Sequence, residues 1–419
     1  MNTPQIKAVC DNVLKDIVPT EAEQKKVESV INFAEQSLLE EVRKQKINAE
    51  VMVGGSIGKN TWLRNKHDID IFVRFDLEYE DSEIGTLLGN VVKPVFKKFE
   101  IAHGTRDYYR VNYKGYEIEI VPTLRISDPS QAKNSMDASP FHVKYVKNKA
   151  RINNLSKEIR LLKAFAKAQG VYGAETHISG FSGYSLELLI IHYGSFLKLL
   201  EEFENAKPKI VIDIEKHYSK TEDVFKLLPE SKLNSPIIII DPVLKERNAS
   251  AAVELKTFST LLFAIRTFIR KPSTSFFKQK TVGLSEHKQL SKKRGTLLVT
   301  KIIEKPNEKE DVFLAKLKKA IESTFVSIEK EGIEVYDYGF FEEGQRIVIY
   351  VEIATLKLSA YRKHYGPQVW MPAPHFEAFL KKYKNVYTDD VDLVVDVKRK
   401  FTSIEQMVRD SLNKELKNV

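Results

Sequence analysis

AEVMVGGSIGKNTWLRNKHDIDIFVRF, residues 49–75, decides the reading of the chain. It opens on a buried strand, AEVMV (49–53), and runs into the turn Gly54-Gly55-Ser56. A short helical stretch is expected over KNTWLRN (59–65), then a strand over DIDIFVRF (68–75). Asp68 and Asp70 stand two apart on that strand, so both carboxylates project from one face. Side by side they repel unless a cation lies between them, and magnesium is typically held by one or two carboxylates plus substrate phosphates. The turn supplies a complement: N–H groups between strand and helix cradle phosphates, Ser56 adds a donor, and Lys59 adds a charge. The stretch is not a P-loop, because Val53 stands where the first glycine is required and Asn60 where Ser or Thr follows the lysine.

A DxD pair alone is weak, since the polar face of a half-buried sheet carries the same pattern. The context strengthens it. YYRVNY (108–113), Lys114-Gly115 and YEIEIV (116–121) read as a β-hairpin leading to Pro122, with Glu119 on its second strand and Glu117 on the same face. Three carboxylates on neighbouring strands suit two metal ions about 4 Å apart, the arrangement that clamps the attacking and leaving oxygens in phosphoryl transfer.

Upstream, Thr20 and Glu23 form a capping box, and Val27, Ile31, Ala34, Leu38 and Val42 recur at helical spacing to about Gln45. Residues near 80–99 are helical again. From about Ser139 to Phe203 the pattern turns helical: Ser156 caps KEIRLLKAFAKAQ, Gly170 ends it as a left-handed cap, and a second helix runs from near Tyr184 through LELLIIHYGSFLKLLEEF. Arg160, Lys163 and Lys167 share one basic face, suited to phosphate or simply to solvent. SPIIIIDP (235–242) is a short buried strand, and residues 250–270 are helical. The last third alternates strands (GTLLVTKII, VYDYGFF, RIVIYVEIA, DLVVDVK) with helices, which suggests a separate α+β domain with an antiparallel sheet.

With 419 residues, two to four domains are expected. No apolar run approaches the roughly 18–20 residues of a membrane span, and the N-terminus has no signal core. The single cysteine, Cys10, excludes an intrachain disulfide or a cysteine zinc cluster, so a cytoplasmic protein is expected. A formal net charge of +9 favours a polyanionic partner. Between Lys256 and Lys301 eleven Lys/Arg face one acid, Glu286, enough to neutralise several phosphates; a solvated linker has the same composition.

Gly54-Gly55-Ser56, KNTWLRN, Asp68-Ile69-Asp70 and a third acid before Val121-Pro122 together resemble the DNA polymerase β-type nucleotidyltransferase superfamily. EIRLLKAFAKAQGVYGAE (158–175), GFSGYSLELLIIHYGSF (180–196), IIDPVLKERNASAA (239–252) and, more weakly, HYGPQVW (364–370) resemble the archaeal-type (class I) CCA-adding enzymes within it. The resemblance implies an α+β fold in three parts: a polymerase β-like palm (1–138), a helical central nucleotide-binding domain (139–258), and a C-terminal ferredoxin/RNP-like tRNA-binding body and tail (259–419). It implies metal-binding catalytic carboxylates at Asp68, Asp70 and Glu119, with Mg2+ as cofactor. It implies nucleotide contacts at Gly55, Ser56, Lys59, Ser139, His142, Lys163 and Tyr172, with Arg247 helping to select the base. Tyr361, Arg362, His364 and Trp370 are candidate tRNA contacts, although a core position suits Trp370 equally. Three departures from the family pattern stand out. Glu119 replaces the usual aspartate, Ala138-Ser139-Pro140-Phe141-His142 replaces Arg-Thr-Pro-Phe-His, and Lys59 replaces a common arginine.

The implied activity is template-independent addition and repair of the tRNA 3′-terminal CCA from CTP and ATP, with release of pyrophosphate. The implied partners are tRNA, at its acceptor stem and TΨC region, with CTP and ATP, no membrane, and a monomer or homodimer. Two other readings keep the same fold: a poly(A) polymerase or oligoadenylate synthetase, and a catalytically inactive RNA-binding relative.

Overall fold

Strict alternation along one strand builds the first half of the molecule. In Asp68–Phe75 the odd-numbered Ile69, Ile71, Val73 and Phe75 are fully buried, which turns the even-numbered Asp68, Asp70, Phe72 and Arg74 to the opposite face. The computed structural model describes residues 2–64, 68–104, 106–279, 282–306, 310–354, 358–399 and 403–418. The chain divides into two units, Met1–Lys280 and Thr281–Val419. No helix among the described residues is long and apolar enough to cross a membrane.

The first unit begins with helices α1 (Thr3–Ile17) and α2 (Glu21–Lys44), then β1 (Ala49–Val53), the four-residue α3 (Gly55–Gly58), β2 (Asp68–Phe75), α4 (Ile84–Val95), β3 (Glu100–Ala102), β4 (Tyr108–Tyr113) and β5 (Tyr116–Leu124). The five strands form one sheet in the order β1-β2-β5-β4-β3, with β2 and β5 parallel. Thr20 and Glu23 make the expected capping box, and Val30, Ala34, Leu38 and Val42 of α2 pack with α4 on the sheet's apolar face. Lys114 and Gly115 both adopt positive φ, as a two-residue hairpin requires.

The unit continues through α5 (Ser139–Ile152), α6 (Ser156–Ala168), α7 (Gly183–Tyr193), α8 (Phe196–Glu204), β6 (Ile210–Ile212), α9 (Thr221–Leu227), α10 (Glu230–Leu233), β7 (Ile237–Asp241), β8 (Leu244–Asn248) and α11 (Leu255–Arg270). A second core of α6, α7, α8 and α11 also takes in Ile6, Cys10 and Val13 of α1. Three local expectations need correcting. The helix expected over KNTWLRN lies earlier, at α3, because Asn60 takes positive φ and stops it; Asn65 lies outside the described residues. The single helix expected after Tyr184 is two, since Gly194 caps α7 in the left-handed region and Ser195 accepts from the Lys198 N–H to start α8. Ser156 is the first helical residue of α6 rather than its cap, and no side chain caps that end.

The second unit has α12 (Leu284–Arg294), β9 (Leu297–Glu304), α13 (Glu310–Lys330), β10 (Val335–Glu343), β11 (Arg346–Ile353), β12 (Tyr361–Gln368), α14 (Ala373–Lys382), β13 (Tyr387–Asp389), β14 (Asp392–Lys398) and α15 (Ile404–Glu415). Instead of one antiparallel sheet there are two, β10-β11-β9 and β12-β14-β13. The first buries Val299, Ile347, Ile349 and Val351 against α13 and α15; the second carries α14 through Phe379, Leu393 and Val395.

Candidate active site

The parallel pairing of β2 and β5 sets Asp68 opposite Glu117 and Asp70 opposite Glu119, and β4 sets Arg110 opposite Glu119. Asp68, Asp70, Glu117 and Glu119 therefore line one cavity of about 380 Å3, shared with Ser56, Lys59, Lys163, Tyr172 and Tyr184. A larger cavity of about 610 Å3 lies beside β1, holds none of these carboxylates, and is floored by apolar side chains such as Val51, Val53 and Phe141. The carboxylates and lysines gather in the smaller one.

Gly55 cannot be replaced without cost. It takes φ +55°, and an added Cβ would fall 1.6 Å from Asp70 Oδ2, so the turn passes directly over the carboxylate. The Gly54 N–H donates to the Asp70 carbonyl at 2.7 Å, fixing turn and strand together. Burial first, and then the neighbouring charges of Glu119 and Asp68 against the pull of Lys59, push the Asp70 carboxyl up to about 6. Crowded acids of this kind favour a cation. Glu119, however, is hydrogen-bonded by Arg110 Nε at 2.8 Å, and among the described residues no three His, Cys, Asp or Glu side chains converge on a single metal position. Hard oxygen donors from Asp68 and Asp70, completed by substrate phosphates, fit Mg2+, while Glu119 shares its charge with Arg110 through Oε1.

Lys163 sits in the cavity wall but not on a solvated basic face. It is 2% exposed and donates to Glu187 Oε1 at 2.7 Å and to Thr61 Oγ1 at 3.0 Å. Lys59 reaches the other oxygen of Glu187 at 2.9 Å. Arg160 is buried too, donating to the Trp62 carbonyl and the Asn60 side chain, while Lys167 is exposed. Burial would raise the Glu187 carboxyl, but the Lys163 and Lys59 charges and the Thr61 hydroxyl hold it down to about 2. Glu187 thus pairs with two lysines beside the cavity, one at each carboxylate oxygen.

A second cluster lies behind Tyr184. Asp241, fully buried, accepts from the Tyr184 hydroxyl at 2.9 Å and from Arg247 Nη1 at 2.6 Å, and His142 Nε2 lies 2.9 Å away in poor hydrogen-bond alignment. Burial draws the His142 imidazole below its usual range, leaving it neutral near pH 7. Asp137 orients the start of α5, and with it His142, by accepting from Arg106 and from the Leu124 N–H at 2.8 Å.

The structure thus gathers Ser56, Lys59, Asp68, Asp70, Glu119, Lys163 and Tyr172 around one cavity, with Gly55 against Asp70. His142 and Arg247 stand one side chain behind, in contact with Tyr184. Ser139 is not among the cavity's lining; its hydroxyl donates to the Ser135 carbonyl at 3.4 Å. Sequence reasoning missed Arg110, Glu187 and Asp241. The signals were an arginine facing Glu119 across a hairpin, a lone acid inside LELLII, and an acid ending four isoleucines.

Residues 35–142 match the family model described as a nucleotidyltransferase domain, residues 157–278 that of the tRNA nucleotidyltransferase second domain, and residues 294–418 that of the CCA-adding enzyme C-terminal domain. The CCA-adding enzyme of Nanoarchaeum equitans is 34% identical over 366 residues, covering 85% of this chain and 88% of that protein. That of Methanocaldococcus jannaschii is 32% identical over 423 residues, covering 99% and 92%. Among solved structures, a cytoplasmic RNA terminal U-transferase aligns with a TM-score of 0.51 at 14% identity, over 67% of this chain and 100% of that one. A poly(U) polymerase with magnesium and 3′-dATP gives 0.51 at 12%, over 65% and 98%. At such identities the likeness is one of fold.

Proposed function

The chain belongs to the CCA-adding enzyme family of tRNA nucleotidyltransferases, and we propose that it adds and repairs the 3′-terminal CCA of tRNA without a nucleic-acid template. The substrates are CTP, used twice, then ATP, each releasing pyrophosphate. The observation that carries this reading is the parallel register that sets Asp70 beside Glu119, under the Gly55 turn and facing Lys59 and Lys163 in one cavity.

Asp68, Asp70 and Glu119 are the residues that would hold Mg2+, which when bound lowers the pKa of the attacking 3′-hydroxyl and neutralises charge on the leaving group. The chain's own work is placement. The Gly54-Gly55-Ser56 turn and Lys59 position the triphosphate over the carboxylates, with Lys163 and Tyr172 closing the wall and His142 contributing from behind Tyr184. Arg110 holds Glu119 through Oε1 and so orients the third carboxylate while sharing its charge. Arg247 reads the base. The Lys256–Lys301 segment and the second unit grip the acceptor stem and TΨC region by shape and backbone, as duplex RNA is generally read; Lys280 of that segment lies outside the described residues. We assign the work to the cytoplasm and to a monomer or homodimer.

Incubating the protein with tRNA lacking CCA, Mg2+ and one labelled nucleotide at a time tests the assignment. Two C residues from CTP alone, and one A only after them, are expected. A long A ladder would make it a poly(A) polymerase, and no extension would make it an inactive relative.

A further inference from the structure

Asp241 ends β7, and β8 returns Arg247 to its side six residues later, so one tight hairpin carries both partners of a buried ion pair. The carboxylate is fully engaged. Oδ1 accepts from the Tyr184 hydroxyl at 2.9 Å and from the Val243 N–H at 3.0 Å, while Oδ2 accepts from Arg247 Nη1 at 2.6 Å and lies 2.9 Å from His142 Nε2. With no exposed surface it has no edge left for a nucleotide. Arg247 differs: its side chain is 32% exposed, and the rest of its guanidinium makes no hydrogen bond to the described residues.

We propose that Asp241 is the positioning residue of the base-reading arginine, anchoring one end of the Arg247 guanidinium so that its remaining N–H donors stand at a fixed place. The inference rests on Arg247 reading the base. Cytosine N3 and adenine N1 are hydrogen-bond acceptors on the Watson–Crick edge, whereas uracil N3 and guanine N1 carry hydrogen. A fixed donor pairs with the first two and faces another donor on the second two, and unpaired polar groups in a desolvated site are what rejects a near-isostere. An unanchored arginine would swing to the carbonyl oxygens of uracil or guanine and lose the distinction. Swinging away from Asp241 would strand a buried carboxylate, which keeps the guanidinium in place. The planar fork matters as much as the charge, because a lysine ammonium has no fixed second edge.

The test is single-nucleotide incorporation by the full chain, measured as kcat/KM for CTP, UTP, ATP and GTP on tRNA lacking CCA and on tRNA ending in CC. Such a ratio, taken on one preparation, does not depend on the fraction folded, so a merely structural role for Asp241 would leave it unchanged. Asp241→Asn is expected to lower CTP-over-UTP and ATP-over-GTP discrimination by about 10–100-fold. Arg247→Lys, which keeps the charge and loses the fork, is expected to lower it as far. Adding Asp241→Asn to Arg247→Ala is expected to lower it no further, as for two members of one unit. Wild-type discrimination in Asp241→Asn, with discrimination lost in Arg247→Ala, would overturn the positioning role and leave base reading intact. Wild-type discrimination in Arg247→Ala would overturn base reading itself. Should Asp241→Asn not fold, Arg247→Lys decides: an unchanged ratio there means that a fixed fork is not what selects the base, and the proposal falls.

Discussion

Glu187 lies between two ammonium groups with almost no water around it, and that sets how the first unit responds to acid. Its carboxyl titrates near 2 when folded, below the ordinary range of about 4.3, so its ion pairs stabilise the fold fully above that range and are lost as pH falls toward 2. Glu187→Gln should cost about 3–5 kcal/mol near neutral pH, because it strands buried lysines. Urea unfolding followed from pH 5 to pH 3 should show the gap to wild type narrowing as pH falls; a constant gap would mean that packing, not charge, is at stake. Asp70→Ala should abolish incorporation while tRNA binding persists, read by extension and filter binding side by side, and turnover near wild type would sink the metal assignment. At this scale the sequence showed the Asp68–Asp70 pair because a strand has a period of two. It did not settle the role of Glu187, since a lone acid in an apolar run becomes an ion pair only when distant cations fold against it, nor that of Asp241, whose contact with Arg247 depends on how the hairpin between them closes.

Helix and strand identities were mostly legible, and the errors cluster where one residue's φ decides. KNTWLRN has helical composition, yet Asn60 at φ +57° ends α3 and leaves Thr61 and Trp62 to be held by Lys163 and Arg160. Gly194 at φ +82° splits α7 from α8. An added Cβ there meets no atom within 4 Å, so Gly194→Ala should destabilise by about 1 kcal/mol through backbone strain alone, measured as a shift in urea midpoint. A loss several times larger would show that the bend carries packing as well. Strand β12 escaped notice because its burial alternates weakly and Gly366-Pro367 interrupts its pairing.

On the whole-molecule scale, the second unit exposes Trp370 at 64%, which removes the core reading of that residue, and its sheet also exposes Tyr361 and Tyr365. Exposed aromatic faces suit stacking on RNA, although Arg362 and Lys363 nearby are paired with Glu331 and Asp389, so Trp370→Ala should weaken tRNA binding by about 1–3 kcal/mol and leave the nucleotide KM unchanged. Affinity for tRNA should also fall at least about tenfold between roughly 50 and 200 mM salt, and a flat response would remove the proposed basic interface. Not every cation of the Lys256–Lys301 segment is available for this: Arg266 donates to the Glu204 carbonyl and Arg294 pairs with Glu352. The sequence by itself determined the strand-turn-strand that carries the carboxylates, the helical middle and the α+β end, because periodicity and turn chemistry are local properties. Only the tertiary structure decided which charges work together. Lys59 and Lys163 became partners of the buried Glu187, and the hairpin pairs Arg110–Glu119 and Arg247–Asp241 took their contacts from strand register and burial, because pairing and desolvation arise only when folding brings side chains within about 3 Å and removes the water between them.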